Sequence, residues 1–338
     1  MNPKKEYITL DHGSGGIATH QLISRLFLPE FKNDWLAPLD DSAVFELNGL
    51  RVAFTTDSYT VKPIFFPGGD IGSLCIHGTV NDLAVMGARP LYLSAGLIVE
   101  EGFPIDDLQT IAASMSAAAA EAGVSIVTGD TKVVSRGQAD GVFINTAGLG
   151  TIPEGVKVSG ALAEPGDDVL VSGPMGDHGT AVLLTREGLV FDSPIRSDSA
   201  PLNGLIAAIL QVTKNIHVFR DPTRGGLATT LNEIALASRV GIRLAEELIP
   251  VRPEVAAACE LLGLDPLYVA NEGRLIVIAP HSETAAILPA MQQHSYGVGA
   301  TVIGTVTADH PGRVSMKTTI GGTRLVDMLV GEPLPRIC

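Results

Sequence analysis

Short β-rich runs along this chain stop at acidic residues set beside glycine, serine or threonine, and stretches with helical apolar spacing alternate with them. Residues 51–56 are β-rich and end at Asp57, residues 125–128 end at Gly129-Asp130, and residues 216–219 lead into Arg220-Asp221. Between the first two, Ile71, Leu74, Cys75, Gly78, Val85 and Met86 keep helical spacing until Ala88-Arg89-Pro90 stops them. A strand is expected over 91–99. The next helix begins after Pro104, places Asp106 and Asp107 in its first turn where the helix dipole favours carboxylates, and ends at Gly123. The order is mixed α and β, with acids at strand ends.

That order restarts around Ile152-Pro153-Glu154-Gly155, with a strand expected at 168–171, a glycine turn over 173–179 and a helix from Thr180. Later strands are expected at 274–279, 301–306 and 313–316, and a helix at 285–292. Domains hold roughly 100–200 residues, so a chain of 338 residues suits two. The boundary falls after residue 153, giving an N-terminal domain over 1–153, a C-terminal domain over 154–330 and a tail over 331–338.

The chain is 46% hydrophobic and 18% charged, which describes a well-buried globular protein. Its net charge of −14 repels phosphate backbones, so nucleic acid is not expected as a partner. A nucleotide can still bind such a surface through divalent metal between carboxylates and phosphates. Lys4 and Lys5 precede no apolar stretch of signal-peptide length, and no segment reads as a membrane span. Cys75, Cys259 and Cys338 are too scattered for a disulfide framework, which fits a reducing cytoplasm.

Asp40-Asp41, Asp57, Asp82, Asp130 and Asp221 are read as acids in turns after β-like runs, except that Asp82 follows Asn81 inside the helical stretch 71–86. Several converging carboxylates suit Mg²⁺ ligation; each one alone also suits a helix cap or turn. Glycine turns at Gly13, Ser14, Gly15 and Gly16, at 173–179 and at Gly225-Gly226 can turn backbone N–H groups to phosphate. No G-x-x-x-x-G-K-[ST] run is present, and residues 13–18 also fit G-x-G-x-x-A, which leaves a dinucleotide-binding reading open. Lys132 and Glu272 are charges set in small-residue loops beside apolar strands, where a surface lysine would account equally well for Lys132, and an ion pair with Arg274 or a turn for Glu272. Cys75 and Cys259 lie on apolar helical faces and read as core. Cys338 is different. It ends an arm, Gly331-Glu332-Pro333-Leu334-Pro335-Arg336-Ile337-Cys338, that has no helical or strand period and is expected to be extended and mobile, without a place in the core. Eight such residues reach on the order of 25 Å.

Five segments together resemble the superfamily of aminoimidazole ribonucleotide synthetase, selenophosphate synthetase and thiamin phosphate kinase. They are Asp41-Ser42-Ala43-Val44, Thr55-Thr56-Asp57-Ser58, Val80-Asn81-Asp82-Leu83-Ala84-Val85-Met86-Gly87-Ala88, Thr128-Gly129-Asp130-Thr131-Lys132 and Arg220-Asp221-Pro222-Thr223-Arg224-Gly225-Gly226-Leu227. Within it, the terminal Pro335-Arg336-Ile337-Cys338 resembles the HypE family of nickel–iron hydrogenase maturation proteins. The resemblance implies an α/β (α+β) two-domain aminoimidazole ribonucleotide synthetase-like fold. Its N-terminal sheet completes a barrel across a homodimer, and its C-terminal domain is an α/β sandwich. It implies ATP and Mg²⁺ as cofactors, with Asp41, Asp57, Asp82, Asp130 and Asp221 at the metal and nucleotide, and Gly13 to Gly16 with Thr223 and Arg224 at the nucleotide. Cys338, Lys132 and Glu272 become the catalytic candidates. The implied reaction dehydrates a carbamoyl group on the Cys338 thiol to a thiocyanate, with a HypF-type carbamoyltransferase upstream and a HypC–HypD scaffold downstream. A selenophosphate synthetase-like activity keeps its reactive cysteine near the N-terminus, whereas none precedes Cys75 here. A non-catalytic scaffold would need no acidic array.

Overall fold

The computed structural model describes residues 6–188, 195–331 and 334–338. Lys4, Lys5, residues 189–194, Glu332 and Pro333 lie outside the described residues.

The first half runs α1 (Ile17–Leu22), α2 (Leu28–Glu30), β1 (Ala43–Leu47), β2 (Leu50–Tyr59), the two-residue strands β3 (Phe65–Phe66) and β4 (Gly69–Asp70), α3 (Ile71–Val85), β5 (Arg89–Glu100), α4 (Ile105–Ala122), β6 (Ser125–Val134) and β7 (Val142–Thr151). Its main sheet has the order β1-β2-β7-β5-β6, antiparallel except for the parallel pair β5–β6. The second half holds β8 (Asp167–Val171), α5 (Asp177–Arg186), α6 (Asn203–Val212), β9 (Val218–Arg220), α7 (Gly226–Ser238), β10 (Gly241–Ala245), α8 (Pro253–Leu262), β11 (Ile276–Pro280), α9 (His281–Gln292), β12 (Thr301–Thr307), β13 (Arg313–Lys317) and β14 (Thr323–Val326). Its sheet runs β14-β13-β10-β12-β8-β11-β9. Neither sheet closes on itself among the described residues.

The helix α3 positions the site. Asp70 caps it, accepting from Gly72 N–H at 2.7 Å and Ser73 N–H at 3.1 Å, which satisfies donors that the first turn leaves unpaired. It is apolar on nearly every side because it lies on β2 and β7 with α4 packed beside it. A Cβ at Gly78 would overlap the hydroxyl of the buried Tyr59 on β2, so glycine there permits the close approach. Burying side chains such as Leu74, Ile76 and Leu83, each 0% exposed, stabilises this packing by about 1.5–3 kcal/mol apiece. A polar residue on such a helix therefore needs a partner or a function.

Two expectations need correction. Asp57 and Asp130 do not end strands, because β2 continues to Tyr59 and β6 to Val134; Lys132 likewise lies within β6 and not in a loop. Pairing with β7 and β5 carries both strands past the polar residues. The last residues are also not free of the core. Leu334 and Ile337 are buried, 6% and 3% exposed, in the same apolar cluster as α3 and α5, and Cys338 packs against it.

Candidate active site

A cleft between the two sheets is lined by Gly15, Asp41, Asp57, Asp82, Asp221, Thr223, Arg224, Glu272 and Cys338, all expected from the sequence. Its floor is a carboxylate cluster. Asp41 precedes β1, Asp82 lies in the last turns of α3 and Asp221 follows β9, and each offers an oxygen within 4.8 Å of the others. Thr55 Oγ1, on β2, lies 2.9 Å from Asp82 Oδ2 and 2.8 Å from the Asp41 carbonyl, and Ser42 Oγ donates to the Asp82 carbonyl at 2.9 Å. These bonds fasten the end of α3 to the start of the sheet.

Burial raises all three carboxyls: Asp41 to about 7, Asp221 to about 6, and Asp82 well above the carboxylate range, with the neighbouring acids adding to the Asp82 shift. Arg220 opposes the shift at Asp41 and Asp221. Its guanidinium lies 3.2 Å from Asp41 Oδ2 and 2.7 Å from Glu233 Oε2, and Glu233 Oε1 is 2.8 Å from His20 Nε2. The 3.2 Å contact is an ion pair without hydrogen-bond geometry, which leaves Asp41 Oδ2 buried and without a donor among the described residues. An oxygen-only donor set of this kind fits a hard divalent cation such as Mg²⁺. Asp57 lines the cleft but stands outside the cluster of three.

Glu272 is 2% exposed, and its Oε1 has no hydrogen-bond partner among the described residues. Burial first, then the negative charge of Asp221, Asp57 and Asp198, raises its carboxyl well above the ordinary range. The loop carrying it is pinned from several sides. Asn81 on α3 donates to the Glu272 carbonyl at 3.2 Å, Glu272 N–H donates to Asp198 Oδ1 at 3.0 Å, and the neighbouring Asn271 donates to the Pro222 carbonyl at 3.0 Å. One helix thus sets both Asp82 and the Glu272 loop.

Of the glycine run, only Gly15 lines the cleft. Its φ is +79°, and a Cβ there would fall 2.9 Å from Arg224 Cβ, so the loop can lie on Arg224 only as glycine. Arg224 Nη1 in turn donates to the Gly13 carbonyl at 3.4 Å. Ser14 Oγ is spent inside the loop, donating to the Asp11 carbonyl and accepting from Gly16 N–H, and Gly16 packs on the Leu329 carbonyl.

Cys338 enters from the other side. Thr60 N–H donates to the main-chain oxygen of Cys338 at 3.0 Å and Lys62 N–H to the Arg336 carbonyl at 3.2 Å, so the chain end runs antiparallel to the segment after β2. The buried His178 contacts the Ile337 carbonyl through Nε2 at 2.9 Å, and Arg336 pairs with Asp140. The charge of Cys338 is the largest influence holding Arg224 in its cationic form. Cys75 and Cys259 are buried in the core, as expected.

Asp130 and Lys132 are not brought to this cleft within one chain. They pair with each other at 2.6 Å, with side chains 69% and 68% exposed, on the edge strand β6. Sequence reasoning missed Arg220, Glu233 and His20. The only local signal was an arginine standing beside Asp221.

The fold and its acidic cleft define a two-domain class whose halves match separate family models: AIR synthase related protein, N-terminal domain, over residues 39–152, and AIR synthase related protein, C-terminal domain, over residues 164–317. Within that class the chain is 56% identical, over 98% of its length and 97% of the relative's, to the carbamoyl dehydratase HypE of Azotobacter vinelandii. It belongs to the HypE family, the carbamoyl dehydratases of hydrogenase maturation. A crystal structure of HypE in complex with ATP superposes with a TM-score of 0.83 at 53% identity, covering 98% of this chain and 100% of that one. The HypE chain of a HypE–HypF complex gives 0.87 at 49% identity, covering 91% and 99%. Among the described residues no helix is long and apolar enough to cross a membrane.

Proposed function

We propose that this chain binds ATP in the acidic cleft and uses it to dehydrate a carbamoyl group carried on the Cys338 sulfur, giving a thiocyanate that supplies the cyanide ligand of the nickel–iron hydrogenase iron centre. The observation that carries this reading is the position of the last residue: Cys338 lines the same cleft as Asp41, Asp82, Asp221 and the buried Glu272. The ATP complex of a HypE relative supports the nucleotide.

The chemistry follows from the leaving group. The carbamoyl oxygen leaves poorly as hydroxide, so transfer of the terminal phosphoryl group of ATP to it, with release of ADP, makes it leave as phosphate. The C–O bond then breaks as both N–H protons are removed and the nitrogen lone pair closes the C≡N bond. Glu272 is the base: it lines the same cleft as Cys338, its Oε1 has no hydrogen-bond partner among the described residues, and it has a raised affinity for protons. Asp41, Asp82 and Asp221 would hold Mg²⁺, which would supply charge neutralisation for the phosphates. Gly15, Thr223 and Arg224 face the nucleotide, with Asp57 beside them. Arg224 balances the charge of Cys338.

Ile126, Val127 and Val133 are exposed on β6, and an edge strand with apolar side chains supports a homodimer whose two sheets close into a barrel there. Asp130 and Lys132 take part in the reaction through that assembly, Lys132 by positioning or relaying charge. The chain divides into domains over 1–153 and 154–330, in keeping with the two sheets and the two family models, and 331–338 is the carrier arm. A HypF-type carbamoyltransferase loads Cys338, as the complex of a relative supports, and a HypC–HypD scaffold receives the nitrile in the cytoplasm.

Mass spectrometry of the C-terminal peptide tests the reading. With a carbamoyl donor and ATP, Cys338 should gain a carbamoyl group and then lose one water, and Cys338→Ala should gain nothing while still binding ATP. A carbamoyl adduct that persists with ATP present would overturn the dehydratase.

A further inference from the structure

The seating of the chain end has a fixed register. The bonds Thr60 N–H to Cys338 and Lys62 N–H to Arg336 define an antiparallel pairing, and both partners of that pairing meet one side chain, Arg186, the last residue of α5. Arg186 Nε donates to the Lys62 carbonyl at 2.8 Å, Nη1 to the Pro335 carbonyl at 2.6 Å and Nη2 to the Arg336 carbonyl at 2.8 Å. All three nitrogens of a rigid planar group are thus engaged, one on the body of the molecule and two on the arm. A lysine ammonium, a flexible point charge, does not reproduce that fork. The end of α5 also favours a cation, because the helix dipole is negative there. Arg186 does not itself line the cleft among the described residues, so the arm it holds is its route to the reaction.

Register decides whether chemistry is possible. Slipping the arm by two residues, one repeat of the pairing, would move the sulfur roughly 7 Å, while reacting atoms must approach to about 3–3.5 Å.

We propose that Arg186 is a positioning residue for the dehydration: its guanidinium locks the register of residues 335–338 on residues 60–62 and so sets how deeply Cys338 sits in the cleft. The kinetic consequence rests on the reading of Cys338 as carrier; the seating itself does not.

The test uses the full chain carrying Arg186→Ala or Arg186→Lys. Alkylation of Cys338 by iodoacetamide is followed on the C-terminal peptide, which separates it from Cys75 and Cys259. Both variants should alkylate about tenfold faster than the natural chain, the scale expected from losing charge-assisted hydrogen bonds, and free guanidinium ion should slow Arg186→Ala back toward it. In carbamoylated protein at saturating ATP, single-turnover dehydration should fall about tenfold while the Kd for ATP stays unchanged. A merely structural role would weaken ATP binding as well. Unchanged alkylation in both variants would overturn the proposal, and if Arg186→Ala does not fold, Arg186→Lys decides on the same readout. Failure of the natural chain to dehydrate its carbamoyl group would overturn the reading of function and leave the alkylation result standing.

Discussion

Glu272 can carry charge only against burial and against three nearby acids, and this raises its affinity for a proton. Its shape matters less than its titration. Glu272→Gln keeps the side-chain volume and removes the proposed base, so single-turnover conversion of carbamoylated protein should slow by about a hundredfold or more while ATP still binds. Equal rates in the two proteins would remove Glu272 from the chemistry. Part of this was legible in the sequence, where a glutamate stands among small residues before an apolar strand. The chain Arg220, Glu233 and His20 was not legible, because the last two are 213 residues apart and only folding joins them.

Among the elements, α3 was read almost completely from its spacing, with Ile71–Val85 observed where 71–86 was expected, and α4 ends at Gly123 in the left-handed region, as a glycine stop should. Strand ends were not readable in the same way. A strand continues for as long as a neighbour pairs with it, and neither the β2–β7 register through Tyr59 nor the β5–β6 register through Val134 is written in the local residues. The arm misled for a similar reason: its prolines hide a period, while Leu334 and Ile337 find their partners on distant helices. The dependence on α3 can be measured. Gly78→Ala pushes a methyl group into the Tyr59 hydroxyl and should cost about 1–3 kcal/mol. Tyr59→Phe in the same chain should recover part of that loss. Additive effects in denaturant melts would contradict the close packing of helix on strand.

For the whole molecule, the acid cluster ties stability to pH. The usual carboxyl value of 3.8 is raised to about 7 at Asp41 and about 6 at Asp221, so the folded chain keeps protons that the unfolded chain has released. Stability present at low pH is therefore lost as the pH rises from about 4 to about 7. Asp41→Asn removes one such site, and its melting temperature relative to the natural chain should move upward across that window when no divalent cation is present. His77 and His178, pushed down to about 4 by burial, slope the opposite way below 6.5, but equally in both proteins. Added Mg²⁺ at about pH 7.5 should raise the melting temperature of the natural chain more than that of Asp41→Asn. An equal response would separate the cluster from metal binding.

Leu334 and Ile337 lie sealed beneath the surface beside the cysteine. Lifting the arm out of the cleft would expose both of these greasy side chains to water, at a cost of roughly 3–6 kcal/mol by area. A partner that held the arm lifted would therefore offset that cost by offering a dry slot for these two oily shoulders.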